Sequence, residues 1–108
     1  MDEICDVTIT ADSADWLVDF VRRLVDDRLV ACGNISVSPV RSIYRWEGEI
    51  EDAEEVAVVL HTRRSLVGRV IERTEAEHPY DTPQVLAIPV VAASVGYHQW
   101  VLDSTIEP

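Results

Sequence analysis

Lysine is absent from this sequence of 108 residues, and the nine basic residues are all arginine. Twenty acidic residues oppose them, so the formal net charge is −11 at pH 7. A surface of that sign repels phosphate backbones and anionic lipids, which argues against a protein that binds nucleic acid or membranes. Cations are the natural partners of such a surface, although the same charge also serves solubility.

Cysteine, glycine and proline are scarce, with two, four and five residues respectively. Cys5 and Cys32 lie far apart without CxxC spacing, so neither a disulfide framework nor a four-ligand zinc site is expected within one chain. The longest nearly unbroken apolar run, residues 85–93, contains Pro89 and is half the length that a membrane-spanning helix needs. Since the sequence also lacks a secretory signal pattern, we expect a cytoplasmic protein with reduced thiols.

Several catalytic motifs are missing as well. The sequence has no phosphate-binding GxxxxGKS/T loop, no GxSxG elbow, no HExxH pair and no dinucleotide-binding glycine fingerprint. No nucleophile and base stand out as a pair. The protein is therefore not expected to be an enzyme.

The residues that are present predict one globular domain over residues 1–108. Hydrophobic residues make up 47% of the chain and charged residues 27%, which is typical of a globular protein. Apolar and amphipathic stretches follow the order strand, helix, strand, strand, helix, strand and a short closing helix. That order predicts an α+β, ferredoxin-like fold, a split βαβ with an antiparallel sheet and helices on one face.

Two element boundaries depend on particular residues. Gly33 is expected to end the first helix, and the acidic residues 51–55 are expected to form a solvated turn between two strands. The predicted strands are residues 4–10, 40–50, 56–60 and 85–91, and the predicted helices are Ala14 to about Ala31, Ser65 to about Glu77, and Val95 to Ser104.

The predicted strand over residues 40–50 has large side chains on both faces. Alternation places Ile43 and Arg45 on one face and Tyr44 and Trp46 on the other. A lone small domain cannot easily bury both faces, so this strand is expected to contact another subunit. Tyr44, Arg45 and Trp46 lie at the centre of that expected contact.

His78 has the clearest metal-binding context of the three histidines. It follows Glu77 at the end of the second predicted helix and precedes Asp81. His78 with Glu77 or Asp81 would suit a loosely held divalent transition metal, and the alternative is a histidine that caps the helix. His61 is expected at the rim of the sheet and His98 in solvent, both without a chemical role.

Four groups of segments resemble the CutA divalent-cation tolerance family in order and spacing. The resemblance extends from about Val7 to the last helix, and its YRWEG and HPYxxP stretches are long and rich in aromatic residues. The segments are 29–32 with Asn34 and Ile35, 42–50, 78–84 with 87–90, and Tyr97 with Trp100.

The resemblance implies a homotrimer of ferredoxin-like subunits, similar in architecture to the PII signalling proteins, in which long strands of neighbouring subunits pair at their edges. It also implies tolerance of copper and other divalent cations, with copper(II) or another divalent cation bound weakly, and no settled enzymatic activity. The cleft between subunits would either anchor the trimer or bind a small ligand. Its lining would be Trp46, Tyr80, Pro83, Gln84 and Trp100.

This sequence departs from the family's copper-binding pattern. Ile9 stands where the family has a cysteine ligand, and Glu77 stands where it has the first of two histidines, so only His78 matches in kind. Gln84 replaces an acidic residue of the cleft, and Cys32 is expected to be a small buried hydrophobe. Thiolate-based, high-affinity copper binding is therefore not expected.

Two functions are compatible with these observations. The first is a cytoplasmic, trimeric protein that binds divalent metal weakly through His78 and nearby carboxylates and contributes to the response to metal ions. The second is a PII-like signalling or scaffold trimer that binds a small metabolite or a partner segment in its inter-subunit clefts. Neither function involves nucleic acid or a membrane.

Overall fold

The computed structural model describes residues 2–108 as a sheet of five antiparallel strands with helices packed against it. The strands lie in the order β2-β4-β1-β5, and β3 also pairs with β4. The predicted α+β, ferredoxin-like fold is confirmed. The elements are β1 Ile4–Ala11, α1 Ala14–Asp26, β2 Cys32–Ile35, β3 Val40–Trp46, β4 Glu49–Arg63, α2 Val67–Glu77, β5 Val85–Pro89 and α3 Val95–Ser104.

The core lies between one face of the sheet and the helices. Val7 and Ile9 of β1 are fully buried and alternate with partly exposed polar residues, which is the pattern of a strand with one covered face. α1 adds Leu17, Phe20 and Leu24, all fully buried. Within residues 2–108, none of the helices is long and apolar enough to span a membrane.

The first helix is shorter than predicted, because it ends at Asp26. Arg28 follows with a φ of +58°, the left-handed conformation that commonly ends a helix. The Arg28 N–H donates to the Val25 carbonyl and the Leu29 N–H donates to the Leu24 carbonyl, both at 3.0 Å. These two bonds form a Schellman motif, which an arginine occupies where glycine is the usual residue.

Gly33 consequently lies in β2 and does not end α1. A Cβ atom at this position would come within 2.8 Å of Val21 Cγ1 and 2.9 Å of Leu60 Cδ2. The glycine therefore lets the backbone of β2 approach α1 closely. The prediction was wrong because Leu29 and Val30 are buried and extend the apolar pattern of the helix beyond its end.

The acidic residues 51–55 lie inside β4, so the predicted turn was also misplaced. The hairpin turns at Glu47 and Gly48, which have φ values of +48° and +81°. Positive φ at both central residues is the geometry of the two-residue turns that match strand twist. Arg41 of β3 donates to both carboxylate oxygens of Asp52 across the hairpin, at 2.8 and 2.7 Å, and helps to hold this acidic segment in the strand.

β2 and β3 pair with the same edge of β4 and are separated by a bulge. Ile35 faces Val58 and Val40 faces Glu55, so four residues of one strand oppose two of the other. Pro39 lies in this interruption, where no ladder hydrogen bond is required of it. An even insertion keeps the same alternation of faces in both strands.

Replacing Arg28 with glycine should stabilise the protein, because glycine adopts the left-handed conformation without the penalty that a Cβ atom brings. We expect the free energy of unfolding of the Arg28→Gly variant, measured in urea, to be about 0.5–1 kcal/mol higher than that of the wild type. The matched control is Arg22→Gly on the exposed surface of α1, which should lose about 1 kcal/mol. Equal losses in the two variants would contradict the role of Arg28 in ending the helix.

Candidate ligand cleft and predicted metal ligands

The β3–β4 hairpin extends beyond the rest of the sheet. β4 has 15 residues, but β1 pairs only with its second half, residues 56–63. Residues 49–55 pair with β3 on one edge, and no strand within residues 2–108 covers the other edge. Ile43 and Ile50 remain 68% and 62% exposed. On the other face, Tyr44 and Trp46 are 45% and 44% exposed, so the single chain leaves both faces of β3 partly uncovered.

The hairpin register places the two arginines of β3 on one face and its aromatic residues on the other. Tyr44 pairs with Glu51 and Trp46 with Glu49, so directly opposed residues place aromatic and acidic side chains together on one face. Arg41 and Arg45 are on the opposite face by alternation. Both arginines are engaged there, Arg41 with Asp52 and Arg45 with the Gly48 carbonyl at 3.3 Å.

A cleft of about 660 Å³ lies between the aromatic face of the hairpin and the loop that follows α2. We call it the hairpin cleft. Four of the five residues that the family resemblance places in a cleft between subunits line this cleft within the single chain, together with Asp81 from the predicted metal set. Trp100 is not among the lining residues; it lies on α3, with its ring centroid 5.5 Å from that of Tyr97. The lining includes Tyr44, Trp46, Glu55, Tyr80, Asp81, Pro83 and Gln84.

Glu55 is a residue of this cleft that the sequence did not single out, because it was assigned to a solvated turn. Only 8% of its surface is exposed, and its Oε2 accepts a hydrogen bond from Tyr80 Oη at 2.9 Å. Burial raises the pKa of Tyr80 above its ordinary value, and the hydrogen bond to Glu55 and the charges of Glu55 and Asp12 raise it further. Glu55 and Asp81 are the charged residues of the lining, which is therefore acidic.

His78 is a structural residue and has no free ring nitrogen. Its Nε2 donates to the Thr10 carbonyl at 2.8 Å, and its Nδ1 accepts from the Tyr80 backbone N–H at 3.0 Å. Its ring is buried between Trp16 and Tyr80, with centroids 4.7 and 4.6 Å away. Both nitrogens that could bind a metal are therefore used to hold the loop after α2 against the end of β1.

Glu77 is also engaged within the chain. Its two carboxylate oxygens accept hydrogen bonds from Arg73 at 2.6 Å and from Arg23 at 3.0 Å. The hydrogen bond from Arg73 is the largest cause of the lowered pKa of Glu77. Asp81 faces the hairpin cleft, so the structure does not bring the predicted set of Glu77, His78 and Asp81 together. In the part of the chain that the structure describes, no three His, Cys, Asp or Glu side chains are grouped to hold a metal.

The other two histidines are more involved in the structure than expected. His61 is not a free rim residue, because its Nδ1 lies 2.7 Å from Asp6 Oδ1 and its Nε2 lies 2.9 Å from Asn34 Oδ1. His98 is partly buried, and its Nε2 donates to the Asp2 carbonyl at 2.8 Å. Neither contact pattern is visible in the sequence, because each joins segments far apart in the chain.

Cys32 is also less buried than predicted. It lies at the edge strand β2, and its Sγ is 3.4 Å from Tyr97 Oη. Burial raises the pKa of Tyr97 to about 12, and the contact with Cys32 contributes. Cys32 thus forms a polar contact with α3.

Comparison with known proteins agrees with this architecture. Residues 5–104 match the CutA1 divalent ion tolerance protein family. The chain belongs to this family. A chloroplastic CutA protein of Arabidopsis thaliana is 38% identical over 92% of the chain, and the divalent-cation tolerance protein CutA of Thermus thermophilus is 34% identical over 97% of it. The crystal structure of CutA1 from Ehrlichia chaffeensis superposes with a TM-score of 0.91 at 34% identity, covering 99% of each chain.

The relatives differ in length. The chain spans 54% of the Arabidopsis protein and 99% of the Thermus protein. The matched region therefore corresponds to nearly the whole bacterial protein and to about half of the plant protein. The family links this chain to divalent cations.

The raised pKa of Tyr80 predicts a loss of stability at alkaline pH. The folded state keeps the phenol protonated above the ordinary pKa of 10.0, so its contribution is complete below about pH 10 and is lost as the pH rises through the folded pKa. Urea unfolding between about pH 9 and pH 11 should show a decreasing free energy of unfolding. Tyr80→Phe should reduce that decrease, and an unchanged decrease would contradict the assignment.

Proposed function

We propose that this protein is a cytoplasmic homotrimer that binds divalent metal ions weakly, copper(II) among them, and takes part in the response to such ions. The observation that carries the proposal is the β3–β4 hairpin, whose edges and apolar side chains need a cover that the single chain does not supply. The membership of this chain in the CutA1 family supports the link to divalent cations.

The exposed hairpin favours assembly with further copies of the chain. Open strand edges template pairing with another chain, and a closed oligomer removes that hazard. Ile43, Tyr44, Trp46 and Ile50 are each at least 44% exposed in the single chain. Ile43 and Ile50 lie on the face opposite the two aromatic residues, and their burial between subunits would stabilise the assembly by about 25 cal/mol for each Å² of apolar surface removed from water.

The acidic surface favours weak binding of cations through carboxylates. Each subunit has a net charge of −11, so a trimer would carry three times that charge, −33. Such a field concentrates cations near the surface without a closed ligand cage. His78 is not one of these ligands, because both of its ring nitrogens already have hydrogen-bond partners.

We propose a binding role and not a catalytic one. Cys5 is buried, and burial raises the pKa of its thiol, which disfavours the nucleophilic thiolate. Cys32 contacts Tyr97, and its cross-strand partner His61 has both ring nitrogens engaged by Asp6 and Asn34. These features favour structural roles for both cysteines.

The assembly is tested by the solution mass from light scattering, measured without added metal. We expect about 36 kDa, the mass of three chains of 12.1 kDa. Ile43→Lys should lower this mass, because it introduces a charge into the proposed contact without disturbing the core of the subunit. The control is Val18→Lys on α1, which changes an exposed valine on a helix and should leave the mass unchanged. A wild-type mass of one chain would contradict the proposal.

Metal binding is tested by titrating copper(II) into the wild type and the His78→Ala variant. The copper(II) affinities of the two proteins should agree within about twofold. The free energy of unfolding of the variant should be lower by about 2–4 kcal/mol, because two partly buried hydrogen bonds and the packing of the ring are lost. His98→Ala, which loses one hydrogen bond, is the control and should lose about 1 kcal/mol. Loss of copper binding in a folded His78→Ala variant would instead identify His78 as a ligand.

The hairpin cleft favours a second candidate function, that of a PII-like scaffold that binds a small metabolite. Its volume of about 660 Å³ suits a small molecule, since ligand pockets commonly measure about 300–1,000 Å³. The cleft combines aromatic walls with a few polar groups, which is the usual composition of such pockets. Heat-induced unfolding measured against a panel of metabolites tests this candidate, because a ligand of the native state raises the melting temperature.

A further inference from the structure

The hairpin cleft has a lining that selects the charge of its ligand. Three aromatic side chains, those of Tyr44, Trp46 and Tyr80, line it together with the carboxylates of Glu55 and Asp81. Its other lining residues are neutral, and none of the lining residues is Arg or His. A phosphate or carboxylate ligand would therefore meet negative charge without a cationic partner, which disfavours nucleotides and acidic metabolites.

The hairpin register keeps positive charge away from the cleft. Arg41 and Arg45 alternate with the aromatic residues of β3 and therefore lie on the other face of the hairpin. Arg41 makes a two-point contact with Asp52, and Arg45 donates to the Gly48 carbonyl. Neither guanidinium is available to neutralise Glu55.

The same lining is a poor cage for a bare metal ion. Hard divalent cations need about six oxygen ligands, and transition metals favour nitrogen or sulfur. The lining has only two carboxylates, those of Glu55 and Asp81, and Glu55 already accepts a hydrogen bond from Tyr80 Oη. Its remaining side-chain oxygens are neutral hydroxyl and amide groups, and no three His, Cys, Asp or Glu side chains of the described residues are grouped there to hold a metal. Aromatic faces next to a carboxylate are instead the recognition elements for organic cations, because the ring quadrupole attracts positive charge.

We propose that the hairpin cleft binds a small organic cation, with an alkylammonium group held against the faces of Trp46 and its aromatic neighbours and opposed by the carboxylates of Glu55 and Asp81. This inference specifies the ligand class of the second candidate function and rests on it. It does not depend on metal binding. Glu55 is the main counter-charge, since it is the more buried of the two carboxylates.

Choline is the probe for this proposal, titrated into the full-length protein while the indole N–H signal of Trp46 is followed by NMR. A saturable shift with a dissociation constant of about 1 mM or tighter is expected. The uncharged carbon analogue of choline should bind at least about fivefold more weakly, because it lacks the cation–π attraction. Equal binding of the two compounds would overturn the proposal and define the cleft as merely apolar.

Glu55→Gln and Glu54→Gln form a matched pair of variants. They remove the same charge from neighbouring residues of β4, but Glu55 lines the cleft, whereas Glu54 is exposed and on the opposite face by alternation. We expect Glu55→Gln to weaken choline binding about tenfold and Glu54→Gln to change it less than about twofold. Equal effects would mean that choline responds only to net charge. Asp81→Asn, an exposed position, is the second variant in case Glu55→Gln fails to fold.

Two further measurements separate failure of this inference from failure of the other proposals. The solution mass of the same samples reports assembly independently of choline. Addition of copper(II) or magnesium should leave choline binding unchanged; displacement of choline would assign the cleft to metal ions and overturn the proposal. If choline leaves the Trp46 signal unchanged, whether the sample has the mass of one chain or of three, the proposal is also overturned.

Discussion

The length of β4 is the constraint on which the rest of the structure depends. Its 15 residues pair with the 8 residues of β1 along one half and with β3 along the other. The first pairing encloses the core, since Val58 and Leu60 are buried against the helices. The second extends a hairpin outside that core. One half of β4 thus belongs to the core of the subunit, and the other half belongs to a hairpin that remains largely uncovered in the single chain.

This division explains how an acidic segment can form a strand. Glu51 and Glu49 oppose Tyr44 and Trp46, so no two carboxylates face each other directly at these positions. Like charges directly opposite would destabilise the pairing, whereas an aromatic partner adds contact area. The bulge before β3 adds two residues, an even number, so the alternation of faces continues from β2 into β3 and keeps the aromatic residues of β3 opposite Glu49 and Glu51. Burial, backbone register and charge are therefore coupled along β4.

The order of elements could be predicted from sequence because periodicity reports which faces are buried. The end of α1 could not, since Leu29 and Val30 continue the helical pattern after Arg28 has broken the helix. The hairpin turn was missed because five residues, 51–55, looked like a solvated loop. The family resemblance named four of the eleven lining residues, as parts of a cleft between subunits. Glu55 could not be found in this way, because its place depends on a contact with Tyr80, which lies 25 residues away in the sequence.

His78 illustrates why a residue type does not establish a ligand. In sequence it has a neighbouring carboxylate and a position at the end of a helix, both compatible with metal binding. In the fold, its two nitrogens join the loop after α2 to β1, and its ring packs between two aromatic residues. The bond to the Tyr80 N–H positions the phenol that reaches Glu55. His78 therefore acts on the cleft indirectly, because it fixes the wall against which a ligand would bind.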